Sequence, residues 1–165
     1  MIIRKLFKFE GAHIVGNRSS EKCRENIHGH SYIVEVFITS DKLDDGYMIM
    51  DFCRLKKVKD FIESFDHTYT LWNKDNEDFK AFIYKYNKRV AEIPVSPSAE
   101  GFALMFFYAI DKILNEMPAV NGEGNVRLHS VRVHETATGY AEAFREDLAL
   151  VHFSMDDFHF SFSNN

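Results

Sequence analysis

A chain of 165 residues, 45% apolar and 27% charged, has the length of one domain and can bury roughly 70% of its unfolded surface. Its formal charge of −5 argues against a general nucleic-acid binder, because no basic block is present to neutralise phosphates. No run approaches the roughly 20 apolar residues of a membrane span. Met1-Ile2-Ile3-Arg4-Lys5-Leu6 reaches a charge too soon for a secretory leader. Cys23 and Cys53 form no disulfide framework, which points to the reducing cytoplasm. Sixteen phenylalanines are a high count, and some of them are expected to cover subunit contacts rather than an internal core.

Residues 3–13 alternate, with Phe7, Phe9, Gly11 and His13 on one parity, and predict a strand that ends on His13. Residues 31–39 alternate again, with Tyr32, Val34, Val36 and Ile38 on the parity of His28 and His30. Asp44-Asp45-Gly46 signals a turn, and Tyr47-Met48-Ile49-Met50 reads as a short strand. Asp51 is placed to cap a helix whose stripe is Phe52, Leu55, Val58, Ile62 and Phe65; Cys53 is expected in its core. The more polar segment 70–95 reads as an insertion whose Phe79, Phe82, Ile83, Tyr86 and Val90 suggest a helix. Ser96-Pro97-Ser98 opens a further helix, with Pro97 in its first turn and Phe102, Phe106, Ala109 and Ile113 on its buried face. After a loop at 118–124 come strands near 126–135 and 139–145. Residues 1–146 thus form the domain, and 147–165 a loosely placed C-terminal extension. The class is α+β: two antiparallel strand pairs with helices over one face, and open sheet edges that invite assembly.

The chemistry concentrates in His28-Gly29-His30. Histidines two apart on a strand share a face and can converge on one ion. With His13 as third nitrogen donor the set resembles a catalytic zinc site, three protein ligands and an open position. Taken alone, His13 also reads as a half-buried strand-end histidine. Cys23, just upstream, reads as a reactive thiol beside the metal, a small apolar filler or a further ligand. Of the other histidines, His129, His134, His152 and His159 carry no motif and read as structural or exposed.

Six motifs in order carry a resemblance that spans residues 5 to about 145. They are Phe9-Glu10-Gly11-Ala12-His13; Cys23 with His28-Gly29-His30-Ser31-Tyr32; Gly46-Tyr47-Met48-Ile49-Met50-Asp51-Phe52; Phe65-Asp66-His67; Pro97-Ser98-Ala99-Glu100; and Val133-His134-Glu135-Thr136. Together they resemble the 6-pyruvoyl-tetrahydropterin synthase / 6-carboxy-tetrahydropterin synthase family. The resemblance implies the tunnelling fold: a four-stranded antiparallel sheet with two main helices on one face, closed by oligomerisation into barrels, usually as a homohexamer of two trimers. It implies a Zn2+ site at His13, His28 and His30, and catalytic roles for Cys23, Asp66 and His67. It further implies that Glu135 anchors the pterin ring and that Glu100 reaches the pocket of a neighbouring subunit.

A carboxylate such as Glu135 can accept two parallel hydrogen bonds from the guanidine-like edge of a pterin, and a carboxylate beside imidazole supports proton transfer near neutrality. Adjacent residues such as Asp66 and His67 do not easily touch in regular structure, so their relay is expected to run across a subunit boundary or through Cys23. The bland reading of the pair is a helix C-terminus favoured by the dipole.

The implied activity is a zinc-dependent lyase acting on 7,8-dihydroneopterin triphosphate, giving 6-carboxy-5,6,7,8-tetrahydropterin, acetaldehyde and triphosphate for deazapurine synthesis. The alternatives are the pyruvoyl product or a non-catalytic pterin-binding member of the fold. Two departures bear on this. Four residues separate Cys23 from His28, intermediate between the three usual in carboxy-type and the five in pyruvoyl-type members, and Glu25 in this loop is a second candidate for the role of Cys23. Ser98-Ala99 also replaces the usual pair of hydroxylated residues, removing one hydrogen bond to the pterin.

Overall fold

The computed structural model describes residues 1–16 and 21–162. The longest strands, β1 (Ile2–His13) and β2 (His28–Thr39), pair antiparallel in a register that sets Phe7 opposite Val34, Phe9 opposite Tyr32, Gly11 opposite His30 and His13 opposite His28. The alternation read from both segments thus puts the apolar residues and all three histidines on one face. Phe9 stacks on Tyr32 at 4.6 Å between centroids.

Two helices cover that face. Asp51 accepts the amide of Cys53 and opens a 3-10 turn, Phe52–Leu55, that runs into α2 (Lys56–Glu63); a short helix at Glu21–Arg24 is α1. Ser98 caps the long helix Ala99–Asn115 by accepting the amide of Gly101. Pro97 therefore lies just ahead of the cap and outside the first turn. This long helix is α4, and its Phe102 and Phe106 pack edge-on against Phe9 and close the core with Phe65. Cys53 is exposed, not in the core as expected. The tighter 3-10 winding rotates residues 52 and 53 off the helical stripe, leaving Phe52 exposed under the Lys5 ammonium.

The expected four-stranded antiparallel sheet is part of a larger mixed one. Among the described residues its seven strands run in the order β6 (Gly139–Ala143), β5 (Arg127–Thr136), β2, β1, β3 (Thr68–Trp72), β4 (Val90–Ile93) and β7 (His159–Phe160). Strands β5 (Arg127–Thr136) and β6 (Gly139–Ala143) complete the antiparallel half. The segment at 70–95 adds the other half: β3 (Thr68–Trp72), α3 (Glu77–Tyr86) and β4 (Val90–Ile93). Strand β3 runs parallel to β1 at Gly11–His13, and β4 parallel to β3. Val90 begins β4 and is not the end of the helix, because Asn87 turns extended after Tyr86. Helix α3 covers the opposite face from α2 and α4, where Tyr69, Leu71, Ile83 and Val90 form a second core.

Residues 47–50 are not a strand. The Asp44 carboxylate accepts the amides of Gly46 and Met48 and folds them into a turn. The tail is docked rather than loose: β7 (His159–Phe160) pairs with β4 at Ala91 and Glu92, and Phe153, Phe158 and Phe160 pack on the main core. A dense aromatic segment buries itself once a strand edge is offered.

Candidate metal centre

The three histidines converge where β1 ends and β2 begins. Their ligand nitrogens lie within 4.8 Å of one another, with 3.2 Å between Nε2 of His13 and Nε2 of His28. The other ring nitrogen is occupied in two of them. His13 Nδ1 lies 2.6 Å from the carbonyl of Pro97, and His28 Nδ1 lies 2.8 Å from the carbonyl of Asn26. A carbonyl only accepts, so both Nδ1 atoms carry the proton and both Nε2 atoms present lone pairs to the same point. Tyr32 adds its hydroxyl, 3.2 Å from His13 Nδ1.

Glu135 completes the cluster: its Oε1 lies 3.5 Å from His13 Nε2 and 3.8 Å from His30 Nε2. That oxygen is buried with no hydrogen-bond donor among the described residues. Lone pairs and a carboxylate oxygen crowded together repel, and a cation between them removes the repulsion. The donor set therefore fits a divalent ion, held by His13, His28 and His30, with Glu135 at its margin.

The expected Asp66–His67 pair does form a direct contact, contrary to the reading from adjacency. His67 takes a left-handed backbone, φ 56°, at a cost on the order of 1 kcal/mol. That twist brings its Nδ1 to 2.7 Å from Asp66 Oδ2. Glu10 holds the pair: its amide donates to Asp66 Oδ1 at 2.8 Å, and its carbonyl accepts the His67 amide at 2.7 Å. Burial pushes the Asp66 carboxyl up, but hydrogen bonds from Glu10 and His67 and the charges of His67 and Arg89 outweigh it, leaving the carboxyl below its ordinary value. The roles of Glu10, Arg89, Tyr32 and the two carbonyls were absent from the sequence reading. Glu10, Tyr32 and Pro97 lie inside the six motifs, but nothing there assigns them these roles, and a backbone carbonyl carries no sequence signal.

A cleft of about 730 Å³ runs along the α3 side of the sheet, lined among others by Glu10, His30, Ser31, His67, Tyr86 and Arg89. It joins one metal-site histidine to the Asp66–His67 pair. Among the described residues, Cys23, Glu100 and Glu135 are not in its walls. Cys23 is half-buried on α1, and its carbonyl accepts the amide of Val15, two residues beyond His13. Glu25 is exposed and paired with Arg24. Glu100 is exposed on the first turn of α4, three residues beyond the carbonyl that holds His13. Among the described residues no helix is long and apolar enough to cross a membrane.

Comparison with known proteins gives the family and the fold. The family model for 6-pyruvoyl tetrahydropterin synthase matches residues 2–146. The chain is 46% identical over 154 residues to the 6-carboxy-5,6,7,8-tetrahydropterin synthase of Helicobacter pylori, covering 93% of this chain and 77% of that protein. It is 32% identical to the Aquifex aeolicus protein of the same name, over 85% of this chain and 95% of that one. In fold it is similar to an uncharacterised protein of Wolinella succinogenes, with TM-score 0.69, 18% identity and coverage of 88% and 98%. The 6-pyruvoyl tetrahydropterin synthase of Plasmodium vivax aligns with TM-score 0.62 and 19% identity, over 88% of this chain and 98% of that one. By the family match and the H. pylori relative together, this chain belongs to the 6-pyruvoyl-tetrahydropterin synthase / 6-carboxy-tetrahydropterin synthase family of enzymes.

Proposed function

We propose that this enzyme converts 7,8-dihydroneopterin triphosphate and water into 6-carboxy-5,6,7,8-tetrahydropterin, acetaldehyde and triphosphate, with zinc as its metal. The observation that carries the reading is the convergence of three imidazole lone pairs at one strand end, in a chain 46% identical to a protein named for that product. Zinc–nitrogen bonds of about 2.0–2.1 Å in a tetrahedral site hold two nitrogens roughly 3.4 Å apart, close to the 3.2 Å between His13 and His28. Bound there, zinc would act as a Lewis acid toward the side-chain oxygens of the substrate and acidify the neighbouring C–H bonds.

The chain's own groups then move protons and hold the ring. The Cys23 thiol, as thiolate, takes a proton from the substrate side chain. His67 passes protons to and from it, its tautomer set by Asp66, whose depressed carboxyl stays charged at neutral pH. Glu135 accepts two hydrogen bonds from the pterin ring, and Glu100 reaches the pocket of a neighbouring subunit. Assembly follows as a homohexamer of two trimers, in a reducing cytoplasm where both cysteines stay thiols.

Mass analysis of products after anaerobic incubation of zinc-loaded protein with 7,8-dihydroneopterin triphosphate tests the reading. Carboxy-pterin with one equivalent of acetaldehyde is expected. A pyruvoyl-pterin, which differs by lacking the added water and retaining the two-carbon fragment, would replace this assignment. Binding without turnover would reduce the site to a pterin-binding one.

A further inference from the structure

We infer that Arg89, clamped by the C-terminal strand, is a positioning residue for the Asp66–His67 pair. The inference rests on the reading of that pair as proton-transfer groups. The guanidinium donates twice to one oxygen, Nε at 3.3 Å and Nη2 at 3.2 Å from the Asp66 carbonyl. That carbonyl belongs to the peptide entering His67, the residue held in the left-handed region. A planar fork anchors such a peptide in orientation as well as in place, which a single ammonium does not.

Arg89 is itself held by its neighbours on the strand side and from the tail, while it also lines two clefts. Its carbonyl accepts the Tyr69 amide at 3.0 Å. The Ser161 hydroxyl donates to the carbonyl of Lys88 at 2.8 Å and accepts the amide of Val90 at 2.9 Å, bracketing Arg89 in the chain. The Phe162 ring lies over the guanidinium, 3.8 Å from centroid to Cζ. Phe160 packs on Phe65, the residue before Asp66, at 5.4 Å between ring centroids. The tail thus grips Asp66 from two directions, through Phe65 and through Arg89. Ser161 and Phe162 lie beyond residue 146, where the family match ends, whereas Arg89 and Asp66 lie within it.

The charged groups around the pair are Lys8, Glu63 and Arg89, which line the adjoining cleft with Asp66 and His67. Glu10 lies on the other side, its carboxylate accepting from Ser31 at 2.7 Å. Arg89 contributes to holding the Asp66 carboxyl low.

The test compares Arg89→Gln, Arg89→Lys and Phe162→Leu with wild type in steady-state kinetics, metal content and a carbon-13 NMR titration of the Asp66 carboxyl. In Arg89→Gln, kcat is expected to fall roughly tenfold to a hundredfold, the scale of a misplaced catalytic group. KM should stay within about twofold if Arg89 acts only through the Asp66 carbonyl, metal content should be unchanged, and the Asp66 titration should move up in pH. Arg89→Lys should return the titration toward wild type while leaving kcat depressed, because charge is restored without the fork. Phe162→Leu should lower kcat in the same direction.

A folded Arg89→Gln protein with unchanged Asp66 titration, or with KM raised and kcat intact, overturns the inference. If Arg89→Gln does not fold, Phe162→Leu decides by the same readouts. Absence of any pterin product from wild type would defeat the proposed function, while the titrations would still decide whether Arg89 and Phe162 govern Asp66.

Discussion

At the scale of single residues, the site is built by groups that leave a nitrogen no choice of proton. Pro97 and Asn26 offer only carbonyls, so His13 and His28 present Nε2 lone pairs inward. Tyr32, fully buried with its hydroxyl on His13, supports the same ring. Tyr32→Phe keeps the packing volume and deletes that contact, and should weaken metal affinity by about 10- to 100-fold, read by competition with a chelator of known affinity. An unchanged affinity would show that the Pro97 carbonyl orients His13 unaided. The histidine triad was legible in the sequence because its spacing is a strand's period of two. Its carbonyl partners were not, because any residue has a carbonyl and only the fold says which one arrives.

Among elements, the start of α4 matters most, since the loop that caps the helix also supplies the Pro97 carbonyl to the metal site. Gly101 makes the approach feasible: a Cβ there would sit 2.0 Å from the carbonyl oxygen of Ser96. Gly101→Ala must push residues 96–97 outward. It should cost about 1–3 kcal/mol, as overpacking does, measured by chemical denaturation, and should weaken metal binding in the same protein. Stability loss with metal affinity intact would uncouple the cap from the site. The apolar stripes of α2 and α4 were readable from helical period, and the Asp51 and Ser98 caps from residue type. Strands β3 and β4 were not. Each is only a few residues long within a polar stretch, and parallel pairing joins β3 to a strand more than fifty residues earlier and β4 to β3.

Over the whole molecule, the described residues cover the antiparallel half of the sheet on one side only. Its open side carries an ion-pair net of Arg4, Glu35, Arg132 and Glu142. Strand β1 is paired with β3 only over Gly11–His13, leaving the rest of that edge, and the outer edge of β6, with backbone groups to satisfy. This geometry supports the proposed barrel. Light scattering should give six times the 19.2 kDa chain mass, and a monomer or dimer mass would sink the proposal.

The sequence by itself determined which residues alternate, which helices are amphipathic and which nitrogens share a face, because these follow from local periods of two and 3.6 residues. Only the tertiary structure decided that Asp66 touches His67, that Glu135 reaches the histidines, and that a tail segment grips Arg89. Each depends on a backbone twist or on segments far apart in the chain meeting, and such contacts are set by the packing of the whole core, not by the residues that make them.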